Sequence, residues 1–310
     1  MTRAAVFAPA PMLTITIEAG GDGPEIHLHA GGQGFWLARM VHALGVEVRL
    51  CGSFGGETGA VARTLIEREG VDVVGVEALH ANAAYVHDRR RGGRTVVAET
   101  IPPTLTRHEL DELYGVTVVE GIEASVCVLG GGTAAGPVVP PSMYRRLAAD
   151  LTANGCVVIA DLAGAALDAV VDGGVMVLKV SVDELVVDGR IAQSSEAALI
   201  DVMRGLRARG VQCVVVSRGA DSVLAAFEDR VVAVNPPHLE PVEERGGGDS
   251  MTAGIAAALA RGEGVEAALR LGAAAGALNV TRVGLGSGRR TEIERLARHV
   301  QLQSISGTRA

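Results

Sequence analysis

The stretch SVCVLGGGTAAGPVVPPSMYRRLAADLTANGCVVIAD, residues 125–161, decides the fold. Its opening, 125–129, is a short apolar run of the kind that forms a strand buried on both faces. Glycines and prolines follow, then a helical segment over 142–154 closed by Gly155, where a C-terminal glycine is expected. A second apolar strand covers 157–161. The order strand, helix, strand implies a crossover and hence parallel pairing.

The same alternation extends in both directions. Upstream, the pattern predicts a helix over 35–44, a strand over 46–50 and a helix over 58–69 ended by Gly70. Downstream it predicts a strand over 175–179, a helix over 195–209 stopped by Gly210, and a strand over 211–217. The fold class is therefore α/β, a doubly wound, mostly parallel sheet flanked by helices. Two segments break the rhythm. Residues 13–30 and 83–100 alternate polar and apolar side chains around GGDG and RRGGR turns, as antiparallel hairpins do. The expectation is one α/β domain over 1–310 with a small antiparallel β lid formed by about residues 12–30 and 83–101.

With 310 residues, 48% of them hydrophobic, and 41 Gly against only 11 Pro, the chain can bury a large core and is neither disordered nor collagen-like. Its formal net charge of −8 argues against nucleic acid or an anionic membrane as a partner. The basic run Arg89, Arg90, Arg91 and Arg94 reads as a solvated hairpin turn. Cys51, Cys127, Cys156 and Cys213 form no CxxC pair and sit among apolar residues, as reduced core thiols do. Neither a signal-peptide h-region nor a membrane-length apolar run is visible, so a cytoplasmic location is expected.

The strongest chemical signal is GGGDSMTAGIAAALARG, residues 246–262. Glycines ahead of a helix expose backbone N–H groups, and the helix N-terminus adds partial positive charge, which suits a phosphate. Asp249 would stand beside that anion site, placed to take a proton from an attacking hydroxyl. The residues alone equally allow Asp249 to be an ordinary N-cap of a helix opened by Ser250. There is no GxxxxGK[ST], HRD or DFG motif. Gly130, Gly132 and Ala135 spell G-x-G-x-x-A after a strand, but prolines come where the helix of a dinucleotide fingerprint would begin. A ligand-side loop is the expectation there.

Taken together, the motifs resemble the ribokinase-like (PfkB) sugar kinase family, nearest its phosphofructokinase and tagatose-6-phosphate kinase branch. Four blocks carry the likeness, in the family's order: HAGGQGFWLARMVHALGVEVRLCGSFGGETG (29–59), LKVSVDELV (178–186), VVVSRGADSVLAAF (214–227) and GGGDSMTAG (246–254). The resemblance implies an ATP- and Mg²⁺-dependent phosphotransferase acting on a hydroxyl of a sugar or sugar phosphate. It makes Asp249 the catalytic base, and Gly246, Gly247 and Gly248 the anion hole. Lys179, Glu184, Ser217, Gly219 and Asn279 fall on the nucleotide side, with Glu184 reaching the metal through water. Thr14, Gly31, Gly32, Gln33, Trp36 and Arg94 fall on the acceptor side.

Departures concentrate at the acceptor. Thr14 stands where the family presents a sugar-binding Asp, and Trp36 where it carries an Asn. Gln33 replaces a Gly or Lys, Val97 lies about where an Arg contacts a sugar phosphate, and Ser181 replaces the Asn of the N-x-x-E block. Each lost polar partner costs a bound sugar about 1–3 kcal/mol. This leaves room for a non-phosphorylated acceptor, such as a nucleoside or unusual sugar, or for a ligand-binding member without turnover. Exposed lid edges also point to a homodimer paired through the lid.

Overall fold

The computed structural model describes residues 2–102, 104–131, 138–243 and 245–305. The chain opens with β1 (Arg3–Ala8), β2 (Met12–Ala19), β3 (Pro24–Gly31), α1 (Gln33–Ala43), β4 (Glu47–Phe54) and α2 (Gly56–Arg68). Next come β5 (Asp72–Glu77), β6 (Ala84–Asp88), β7 (Thr95–Glu99), α3 (Arg107–Ala124), β8 (Val126–Leu129) and α4 (Pro141–Ala153). The middle holds β9 (Val157–Asp161), α5 (Gly164–Gly173), β10 (Val177–Ser181), α6 (Val182–Val187), α7 (Glu196–Ala208) and β11 (Cys213–Ser217). The last third holds β12 (Val223–Phe227), β13 (Arg230–Asn235), α8 (Gly247–Ala260), α9 (Val265–Asn279), α10 (Arg290–Ala297) and β14 (Gln301–Ser304).

The main sheet has ten strands in the order β14-β13-β12-β11-β10-β9-β8-β1-β4-β5. From β5 to β11 every pairing is parallel, as the crossovers require, and β12, β13 and β14 then add an antiparallel edge. Apolar cores fill both faces. Phe7, Leu129 and Leu178 point to one side, and Val6, Val128 and Val177 to the other. That is why the parallel strands read as unbroken apolar runs. On one side α8 packs on α9 at close range. A Cβ added to Gly254 would stand 2.7 Å from Gly272 Cα, so only paired glycines allow this crossing.

The second sheet, β3-β2-β6-β7, comes from the two hairpins. Each is antiparallel within itself, but they join through β2 and β6 in parallel, Thr14 opposite Tyr85 and Thr16 opposite His87. Residues 303–304, which the sequence suggests are part of a loose tail, belong to β14 and pair with Ala233 and Val232. The loop of the G-x-G-x-x-A run, 132–137, lies outside the described residues. All four cysteines are buried free thiols. Among the described residues no helix is long and apolar enough to cross a membrane.

Candidate active site

Open α/β sheets bind ligands beyond the carboxyl ends of their strands. There, parallel register brings Asp161 beside Lys179, and Ser181 beside Ser217, on β9, β10 and β11. Lys179 is buried and its Nζ lies 3.0 Å from Asp161 Oδ1. Thr252 Oγ1, from α8, donates to the other Asp161 oxygen at 2.8 Å. Burial opposes the charge on Lys179, but Asp161, Glu184 and Asp249 together outweigh it and hold its pKa above the ordinary lysine value.

Helix α8 begins three residues earlier than Ser250, which is buried inside its first turn. Gly246 is the N-cap, in the left-handed region at φ 73°, and supplies no side-chain cap. Asp249 therefore is not the N-cap but a first-turn carboxylate, free of capping duty. The turn has no room to spare: a Cβ on Gly248 would lie 2.8 Å from Lys179 Nζ. Gly246, Gly247 and Gly248 thus lead the chain past a buried ammonium into a helix N-terminus. Burial pushes the Asp249 carboxyl up to about 7, with Asp161 adding to the rise, Lys179 and Gln33 opposing it, and Glu184 contributing upwards. A carboxylate near neutrality beside a glycine turn at a helix N-terminus has the profile of a general base.

Glu184 sits in the first turn of α6 and closes a capping box with Ser181: one carboxylate oxygen accepts from Ser181 N and Oγ, each at 2.7 Å. Ser217 ends β11, half-buried, and Gly219 follows in the left-handed region at φ 62°. Asn279 is fully buried. Its Nδ2 donates to Arg245 O at 2.9 Å and its Oδ1 accepts from Gly286 N at 2.8 Å, so it ties two loops together beside the glycine turn.

A cleft of about 1050 Å³ opens between the small sheet, α1, α2 and the 283–285 loop. Thr14, Gly32, Gln33, Trp36 and Arg94 all line it, whereas Gly31 and Val97 do not. Gly31 is buried against Thr14, where a Cβ would lie 2.6 Å from Oγ1. Val97 is 58% exposed, beside the irregularity that shifts β7 against β6. Trp36 is half-buried, packing against the core while lining the cleft, so it is not a core aromatic turned away.

Arg245, not singled out in the sequence, and Arg89, read there as part of a solvated turn, line the cleft together with Arg94. Arg94 pairs with Glu243 at 3.4 Å. Its pKa is lowered by burial first, opposed by Glu243 and lowered further by Arg245 and Arg89. Beneath them His87 is 1% exposed, with Nε2 3.2 Å from Thr16 Oγ1 and a buried Nδ1 that has no partner among the described residues. Burial, then Arg94, Arg89 and Arg245, hold its pKa down. Three arginines thus act on the charge of one buried imidazole.

The model of the pfkB family of carbohydrate kinases matches residues 14–292, which include most of the small sheet and of the cleft lining, and the glycine turn. The chain belongs to that family. It is a phosphotransferase with an alcohol group as acceptor, a sugar or sugar-phosphate kinase, and as a kinase it uses ATP. Its fold is similar to that of phosphofructokinase-2 from Escherichia coli in a potassium complex, with a TM-score of 0.83 at 22% identity over 96% of this chain and 99% of that one. The same enzyme bound to fructose-6-phosphate gives a TM-score of 0.80 at 22% identity over 96% and 99% of the two chains. Ribokinase from Arabidopsis thaliana, complexed with ribose and ATP, gives 0.74 at 19% identity over 96% and 99%. The main parallel sheet, its helices and the separate small sheet are thus ribokinase-like.

Proposed function

We propose that this kinase phosphorylates a small acceptor that already carries an anionic group, a sugar phosphate in the manner of a phosphofructokinase. The observation that carries the reading is the convergence of Arg89, Arg94 and Arg245 on one wall of the cleft, with Glu243 as the carboxylate paired to Arg94. The orphaned His87 Nδ1 beside them supports the same reading. A phosphate satisfies guanidinium donors bidentately and discharges their mutual repulsion. A neutral nucleoside or free sugar leaves both unmet. Thr14 offers a hydroxyl in place of a carboxylate, and Trp36 an apolar face and one N–H.

In this reading Asp249 takes the proton of the acceptor hydroxyl, and the N–H groups of the Gly246–Gly248 turn steady the transferred phosphoryl group. Lys179 holds Asp249 in its ionised form. The glycine cradle, filled by a single Cβ at Gly248, fits a nucleotide phosphate; Ser217 and Gly219 border it, and Asn279 shapes it through the loops it ties. Glu184, with one oxygen spent on its capping box, keeps the other for a water of Mg²⁺. That metal would neutralise charge on the donor phosphates. The small sheet closes over the cleft as a lid and excludes water.

Measuring ADP release across a panel of phosphohexoses, free hexoses and nucleosides tests the acceptor class. Turnover confined to the phosphorylated compounds is expected, with Arg245→Ala raising their KM about 10–100-fold and leaving the KM for ATP unchanged. Preference for an uncharged acceptor, or an indifferent Arg245→Ala, overturns the reading.

Apolar side chains are exposed at both edges of the small sheet, Ile26 at 65% and Leu28 at 45% on β3 and Val97 at 58% on β7. Exposed edges of this kind support a homodimer paired through the lid. Solution mass twice that of the chain is expected, falling to the monomer in Ile26→Asp; a monomeric parent protein removes the idea. Free buried thiols fit a cytoplasmic enzyme.

A further inference from the structure

Glu243 has no place in the cleft wall, yet it meets Arg94, which has one. Arg94 ends the turn of the second hairpin and leads into β7, the last strand of the small sheet beyond β6. All five residues of β7 are exposed, so burial does little to hold this edge of the sheet in place. Arg94 is different. Its side chain is 20% exposed, and its Nη2 donates to Glu243 Oε2 at 3.4 Å, where the Glu243 side chain is 18% exposed. Arg90, from the same turn, folds back on its own strand instead, with Nη2 2.6 Å from Asp88 Oδ2.

Glu243 itself is fixed to the main body. Val242 N and Glu243 N both donate to Val280 O, at 2.7 and 3.0 Å. Val280 is the C-cap of α9, and its side chain lies against the glycine turn: a Cβ on Gly247 would stand 3.1 Å from Val280 Cγ1. One residue earlier, Asn279 Nδ2 donates to Arg245 O. The end of α9 thus clamps the chain at Glu243 and again at Arg245, directly before Gly246. Through these bonds the distance from Arg94 to the glycine turn is set by the body, not by the exposed edge of the small sheet.

We propose that Glu243 is a positioning residue for the acceptor: it holds Arg94 of the small sheet in register with the glycine turn, so that an anionic acceptor is gripped at the right distance from the phosphoryl group to be transferred. The inference rests on the reading that the acceptor is anionic and is held by Arg94. Glu243 engages Nη2 alone, which leaves the other donors of the guanidinium to the cleft. A long side chain beside an exposed strand otherwise has many rotamers, and each incoming acceptor has to order it. Glu243 removes that cost before the acceptor arrives. It stays outside the cleft and touches no reacting atom. A misplacement of about 1 Å costs transfer as much as about 10²-fold, so the pair bears on kcat as well as on KM.

The test compares Glu243→Ala and the isosteric, uncharged Glu243→Gln with the parent enzyme on a phosphohexose, alongside Arg94→Ala. Glu243→Ala is expected to raise the KM for the phosphohexose about tenfold and to lower kcat, with the KM for ATP and the melting temperature unchanged; Glu243→Gln moves the same way. Amide hydrogens of β7 exchange with solvent faster in Glu243→Ala than in the parent. An unchanged phosphohexose KM in both Glu243 variants overturns the inference. A lowered KM overturns it too, and makes Glu243 a competitor of the acceptor for Arg94. Equal losses in the KM for ATP and for the phosphohexose reduce Glu243 to a structural contact. If Arg94→Ala leaves the phosphohexose KM unmoved, the reading of the acceptor fails first and this inference falls with it. A loss in Arg94→Ala that neither Glu243 variant shares sinks the inference alone.

Discussion

Asp249→Asn is expected to lower kcat by about 10²–10⁴-fold, the usual contribution of a positioned general base. The substitution is isosteric and removes only the ability to take a proton. Asp249 caps nothing, since Gly246 is the N-cap, so α8 keeps its start and the variant keeps its fold. Nucleotide binding should persist, because the backbone of the glycine turn is untouched. The parent enzyme should also show an acid limb in kcat/KM. Burial, reinforced by Asp161, pushes the Asp249 carboxyl up to about 7, and only the ionised form can accept the proton. Activity therefore rises as pH increases through about 7, and the Asn variant lacks that limb. A coupled ADP assay across pH, with a thermal melt to confirm folding, reads both effects. A loss smaller than about tenfold overturns the assignment.

The alternation that decides the fold was legible because parallel strands buried on both faces leave long apolar runs, and glycines mark the helix ends. The parallel joining of β2 to β6 was not legible. Each hairpin declares its own antiparallel partner through its turn, while contact between hairpins depends on how the intervening chain packs. Helix α3 gives a mixed signal for a physical reason. Its middle, Val116 to Val119, is β-branched and suits a strand, but a capping box between Thr106 and Glu109 nucleates it and Leu113 anchors it in the core. The start of α8 was misplaced because a glycine N-cap carries no side-chain mark.

The same logic divides the site. Asp249 and its glycines stood out because a glycine run before a helix is rare and has a use. Asp161 did not, since an acid at the end of an apolar strand is commonplace. Only the register of β9 against β10 reveals that it faces Lys179. Arg94 was visible beside its turn, but Arg245 is remote in sequence from Arg89 and Arg94, and only the folded chain sets all three on one wall. Trp36 was rightly conspicuous as a departure; that it both packs on the core and lines the cleft could come only from coordinates.

Lys179→Met should be the second severe change, and it acts on stability and chemistry together. The parent ammonium lies 3.0 Å from Asp161, with side-chain exposures of 7% and 1%, so removing it leaves a buried carboxylate without its cation. Breaking a buried pair from one side costs about 3–5 kcal/mol, equivalent in a chain of this size to roughly 5–10 °C of melting temperature. Thr252 still donates to Asp161, which keeps the loss from being larger. The sign with pH follows from Asp249. Its pKa is already raised, so its charge costs stability as pH climbs from the ordinary carboxylate range through about 7. Without Lys179 that pKa goes higher still. The deficit is therefore greatest above neutrality and shrinks as the medium is acidified, and the acid limb of kcat/KM moves to higher pH. Replacing both partners, Lys179→Met with Asp161→Leu, removes the stranded charge and should recover much of the stability while leaving activity low. Melting curves of the single and double variants at two pH values decide the matter. A single variant as stable as the parent, with its acid limb unmoved, would mean that Lys179 neither holds the buried carboxylates in place nor keeps the base ionised.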